Sequence, residues 1–180
     1  MARHDTLESI ACGLQYDNEF WRFSLAVYEQ NEVAQECLAL QEAQGIDVNL
    51  LLFCGWIGAQ GIILSSENIS RASMAVAAWH ETVVRPLRGV RQQTKSLGIA
   101  ELEDFRAHVK DLELEAEKIE QAILFDYSKS IPRSLAGVDR RDVITENVKK
   151  YIASKNGTVK GRSPERSAPY LIGAALRLRS

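Results

Sequence analysis

Apolar positions recur at helical spacing along most of this chain, and nowhere do they alternate long enough to build a strand. After Asn18, a residue type that caps helices, Phe20, Phe23 and Val27 fall on one line, with Trp21, Leu25 and Tyr28 beside it. Asn31 can cap a second helix, in which Val33, Ala34, Cys37, Leu38 and Gln41 repeat until Gly45 closes it. Asp47 then stands before Val48 to Leu64, a run so uniformly apolar that it predicts the central helix of a core rather than an amphipathic surface helix. Gly55 and Gly58 within it leave bare surface where a neighbouring helix can come close.

Two long patterns follow. Ile69, Ala72, Val76, Trp79, Val83, Leu87, Val90 and Leu97 step by close to three and four, and Pro86 inside the pattern predicts a kink at about 82–85. Beyond Gly98, the line Leu102, Phe105, Val109, Leu112, Ala116, Ile119 and Ile123 continues the alternation over three heptads. Helices over 69–97 and 101–126 joined by a short loop should lie antiparallel. Their charges agree, since the first offers Arg85, Arg88, Arg91 and Lys95 and the second is rich in glutamate. A short sixth helix starts at Asp139 or Asp142, buries Val143, Ile144, Val148, Tyr151 and Ile152, and ends at Asn156-Gly157. The expected fold is an all-α bundle of five main helices and this short sixth, occupying 18–156. Residues 1–17 are an N-terminal extension. Residues 157–180, with their Gly, Ser and Pro content, read as a basic, flexible tail.

Charge sharpens that division. The formal net charge is only -2, yet from Lys149 onward eight Lys or Arg stand against Glu165 alone, which leaves the preceding body acidic. Such a tail suits an anionic partner, and nucleic acid is one candidate, though nothing else in the chain favours it. Cys12, Cys37 and Cys54 show no C-x-x-C spacing and predict neither a disulfide framework nor a zinc site, in keeping with a cytoplasmic setting. Val48 to Leu64 is 17 residues long, at the bottom of the membrane-spanning range, and holds Asn49 and Gln60, so a buried helix is the better reading.

The blocks FWRFSLAVY, VAQECLALQ and GIDVNLLLFC, followed by Trp79 and VVRPLRGVR, resemble a family of small, mainly proteobacterial proteins of unknown function. The resemblance covers about residues 18–155, with DVNLLLFC its most specific part. It implies a mostly helical cytoplasmic domain and carries over no activity, ligand or catalytic residue.

The residues themselves offer little chemistry. His80, followed by Glu81 and with Arg85 one turn on, could be a general base held by a carboxylate. The plainer reading is a half-buried histidine beside a surface ion pair. Asn49 is either a ligand contact or a first-turn residue bonding local backbone. Trp21, Tyr28, Trp56 and Trp79, with Asn49 and His80, could line an aromatic cavity for a small or lipid-like molecule, but aromatics at helical spacing are usually core. Arg85, Arg88, Arg91 and Lys95 could contact an anion or partner, with the acidic helix a nearer match. Neither H-E-x-x-H nor E-x-x-H occurs, so the pattern supplies no catalytic residue, no metal ligand set and no cofactor. On this basis the chain reads first as a non-catalytic interaction module acting on a protein partner or on itself, and alternatively as a ligand binder or enzyme.

Overall fold

In a computed structural model, which describes residues 13–133, 137, 139–156 and 168–178, every element is helical and there is no β-strand among those residues. Capping chemistry sets several boundaries. Asn18 accepts the Trp21 N–H and opens α1 (Glu19–Tyr28). The second helix, α2 (Asn31–Gln44), begins on Gln30 with no side-chain cap, so Asn31 is its first residue rather than its cap. Gly45, at φ 63°, closes it in the left-handed conformation. Asp47 caps α3 (Val48–Ala59). Ser65 and Asn68 form a reciprocal capping box at the start of α4 (Ser66–Trp79).

The central helix is buried from Asn49 to Ala59 on every side, as its uniform apolarity requires. It is shorter than the apolar run. Gly61, at φ 78°, turns the chain after Gln60, and Ile62 to Leu64 continue as non-helical, largely buried backbone. That backbone is satisfied by Asn147: its amide donates to the Ile62 carbonyl (2.9 Å) and its oxygen accepts the Leu64 N–H (2.8 Å). α7 (Arg140–Asn156), which carries Asn147, can lie this close because Gly58 has no side chain; a Cβ there would stand 2.7 Å from the Ile144 Cα.

The kink takes a definite form. His80–Val84 is a π-helical turn in which the Arg85 N–H reaches back to the His80 carbonyl, and α5 (Arg85–Ser96) follows with Pro86 in its first turn. Widening the turn before a proline relieves the clash of its ring with the preceding turn. After a 3₁₀ turn at Ala100–Leu102 comes α6 (Glu103–Ser128). The pairing order confirms an antiparallel hairpin: Tyr127 meets Asn68, Ala116 meets Trp79, and Glu113 meets Arg88 and Arg91. Of the heptad line on α6, Val109, Ala116 and Ile123 are buried, whereas Phe105 and Leu112 face solvent.

The flexible-tail expectation fails at its far end. Residues 169–177 form α8 (Pro169–Arg177), with Leu171, Ile172, Ala174 and Ala175 buried in the same core as α3. Leu171 rests on the bare surface of Gly55, and the Glu36 carboxylate accepts the Tyr170 and Leu171 N–H groups, capping the helix from α2. The apolar spacing of YLIGAAL outweighs the polar composition before it. The linker 157–167, with Lys160, Arg162 and Arg166, lies outside the described residues, as do Cys12, His4 and Arg179. Among the described residues, no helix is long and apolar enough to cross a membrane.

Candidate functional site

Three titratable side chains from separate elements converge beside the π turn. Asp47 comes from the cap of α3, His80 opens the π turn, and Glu120 lies on α6. The His80 Nδ1 is 3.2 Å from both Glu120 carboxylate oxygens and 3.3 Å from Asp47 Oδ2. Burial is deep, with side-chain exposures of 14% for His80, 8% for Asp47 and 0% for Glu120.

Each carboxylate is also held from behind. Asp47 Oδ1 accepts the Asn49 N–H (2.9 Å) and the Leu50 N–H (3.4 Å), so capping uses one oxygen and turns Oδ2 toward His80. Asn49 donates its amide to Glu120 Oε2 (3.2 Å) and accepts from Gln121 Nε2 (2.8 Å). The Tyr151 hydroxyl sits between the Asp47 N–H (3.1 Å) and the Asp47 carbonyl (3.3 Å), fixing the turn before α3. Next to His80, the Trp79 indole donates to the Ala116 carbonyl (2.8 Å) and pins the end of α4 to α6.

The electrostatics follow from this crowding. Burial, and then the Asp47 charge, push the Glu120 carboxyl up to about 8 against the opposing pull of His80. Burial disfavours the charged imidazole, but the Glu120 hydrogen bond and the two carboxylates outweigh it, so the His80 pKa is raised. The cluster therefore gathers positive charge, as a proton or as anything else that supplies it. Asp47 and His80 open onto a groove of about 770 Å³ between α2, α4 and α5, with Gln41, Ser73, Met74, Ala77 and Gln92 on its walls.

Of the other residues singled out by pattern, Arg85 and Arg88 line this groove with His80, and the aromatics are dispersed. Trp56 stacks on Phe20 (centroids 5.2 Å apart) and touches Phe53 and Phe125, inside the aromatic core. Trp21 lies under the Lys118 ammonium, and Tyr28 is exposed at the end of α1. The groove by His80 contains none of the tryptophans. Arg85 pairs with Glu81 (2.5 Å), Arg88 with Glu113 (3.0 Å) and Glu117 (2.6 Å), and Arg91 with Glu113. Lys95 is exposed. Glu81, the neighbour that sequence offered to His80, turns to Arg85 instead.

Sequence reasoning missed Asp47, Glu120, Gln121 and Asn147 as site or network residues. Glu120 alone gave a signal. It lies beside Ile119 and Ile123, and an acidic residue among apolar neighbours asks for a partner.

A family described as a protein of unknown function (DUF2390) matches residues 19–124. The chain belongs to this family. Its DUF2390 stretch runs from α1 nearly to the end of α6 and contains Asp47, Asn49, His80, Glu120 and Gln121, whereas Tyr151 and Asn147 come from the helix that follows it. No curated protein and no solved structure matches the chain.

Proposed function

We propose that this protein binds a small polar ligand in the groove floored by Asp47 and His80, with Glu120 behind them. The observation that carries the reading is the convergence itself. A helical bundle gains nothing in stability from burying two carboxylates and an imidazole where apolar side chains would pack, yet each carboxylate is held by dedicated partners. The convergence also lies at the wall of a groove large enough for a metabolite-sized molecule. The aromatic cavity is not the support for this reading; the polar groove is.

The test is a thermal-shift and NMR screen of polar metabolite classes (sugar phosphates, dicarboxylates, amino acids, nucleotides) against the wild type and Ala77→Trp. Ala77 is an exposed wall residue, so the tryptophan fills the groove without entering the core. A compound that stabilises the wild type and perturbs the His80 ring signals, with both effects lost in A77W, supports the reading. Binding that is equal in both proteins, or absent across all classes, overturns it.

A second reading, as an interaction module, has its own observation. Leu97 is 62% exposed, and Ile99, Phe105 and Leu112 are exposed with it toward the loop end of the hairpin. Sedimentation velocity of the wild type and of Phe105→Asp tests it: a dimer dissociated by the substitution supports self-association, and a wild type that stays monomeric across the micromolar range removes that form of it.

A further inference from the structure

We propose that the Asp47–His80–Glu120 cluster is a binding site for a divalent first-row transition cation. The inference rests on reading the groove as the working site, and names what its floor holds.

The donor atoms have the right spacing. One atom from each residue can be chosen so that all three lie within 4.8 Å of one another, and the two histidine-to-carboxylate distances are 3.2 and 3.3 Å. Donors about 2.1 Å from a common ion stand about 3.0 Å apart at octahedral angles and about 3.4 Å apart at tetrahedral ones. Both histidine-to-carboxylate distances fall between those values, and the two carboxylates offer oxygens within 4.8 Å of each other, so side-chain adjustment rather than a rearrangement of helices brings all three onto one ion.

The charge balance points the same way. With both carboxyls ionised and the imidazole neutral, the state in which these side chains ligate a metal, the cluster carries -2, and a divalent cation cancels it while displacing the protons the cluster otherwise gathers. The Arg88 charge acts on His80, but Arg88 is committed to Glu113 and Glu117. The ligand type selects the class of ion. An imidazole nitrogen with two carboxylate oxygens suits Zn²⁺, Mn²⁺, Fe²⁺ or Co²⁺, whereas Mg²⁺ and Ca²⁺ favour all-oxygen shells.

The carboxylates are prepared as ligands. Metal-binding side chains are oriented by outer hydrogen bonds, and here the α3 N-terminus fixes Asp47 while the Gln121–Asn49 relay fixes Glu120. Three protein ligands leave coordination positions open, and the groove lies on the side where Asp47 and His80 reach the surface. A water or a polar ligand in the groove would complete the shell there.

The experiment is titration calorimetry of chelator-stripped full-length protein with Zn²⁺, Mn²⁺ and Co²⁺, repeated on His80→Gln and Glu120→Gln, with circular dichroism on each variant. One equivalent of at least one cation should bind the wild type, and its Kd should rise at least about tenfold in each folded variant. Asn49→Ala, which leaves all three ligands in place, should weaken binding by about 10- to 100-fold. Should a variant fail to fold, paramagnetic shifts from Co²⁺ bound to the wild type locate the ion. Shifts centred on His80 support the site, and shifts centred elsewhere overturn it. Absence of stoichiometric binding, or equal binding by wild type, H80Q and E120Q, overturns it as well. The two readings fail separately. Loss of the cation with an A77W-sensitive polar ligand retained refutes the metal and leaves the groove, while a cation without any groove ligand supports the metal site and refutes the ligand reading.

Discussion

At the scale of single residues, Asn49 decides most. It is 4% exposed in the centre of the bundle, and its amide joins Glu120 to Gln121. Sequence allowed two roles for it, a ligand contact or a local backbone bond, and the structure gives it a third as the link between α3 and α6. Asn49→Leu keeps the volume but strands both partners. We expect a loss of about 1–3 kcal/mol for each buried group left unpaired, measured by urea denaturation. A change below about 0.5 kcal/mol would show that water or a rotamer change replaces the relay. His80 shows why local pattern was a poor guide to chemistry. Its sequence neighbour Glu81 faces solvent and Arg85, whereas its actual partners lie 33 residues before it and 40 after.

At the scale of elements, α3 and the two helices seated on its glycines form the mechanical centre. Gly58→Ala places a methyl against Ile144 backbone, which cannot move aside as a side-chain tip can. The expected cost is about 1–3 kcal/mol in chemical denaturation, and an unchanged midpoint would mean that α7 can slide. Gly55 offers a contrast, since a Cβ there meets only the Leu171 side chain at an ordinary 3.5 Å.

α8 makes the opposite case to a dispensable tail. Leu171 is fully buried, so Leu171→Ala should cost about 2–5 kcal/mol, and a chain ending at residue 167 should lose cooperative unfolding or solubility. A truncated protein that melts cooperatively at the wild-type temperature would show α8 to be peripheral. The element was visible in sequence as an apolar segment, but composition of the linker before it argued for disorder. Composition carries no information about whether a matching surface exists elsewhere, and that surface is made by Gly55, Glu36 and the neighbouring core.

At the scale of the whole molecule, the pairing of Glu113 with Arg88 and Arg91 across the hairpin contributes to the response to acid. Burial alone would raise the Glu113 carboxyl, but hydrogen bonds from Arg91 and Arg88 outweigh it and hold its pKa below the ordinary carboxylate value. A depressed carboxylate stabilises the folded state fully above its unfolded pKa, and the contribution is lost as pH falls through the lower folded value. Glu113→Gln should therefore lower stability at neutral pH by about 1–2 kcal/mol, a modest figure because solvent reaches part of the pair. The gap between wild type and E113Q should close as the pH drops from about 4.5 downward. A gap that stays constant to low pH would mean that the arginines do not depend on the Glu113 charge.

What the sequence determined by itself was much of what local spacing and capping govern, though not the start of α2 or the end of α3. The all-α class, the buried apolar helix after Asp47, the glycine stop at Gly45 and the disturbance before Pro86 were legible because each depends on residues within one or two turns of one another, and the hairpin was legible because a short loop joins two helices of opposite charge. Only the tertiary structure decided the rest. That Ile62 to Leu64 leave the helix to be held by Asn147, that α8 docks, and that Asp47, His80 and Glu120 meet are consequences of contacts between segments tens of residues apart. No periodicity within one helix records which face of another helix will be set against it. The candidate site is made of such contacts, so it became visible only when the helices were packed.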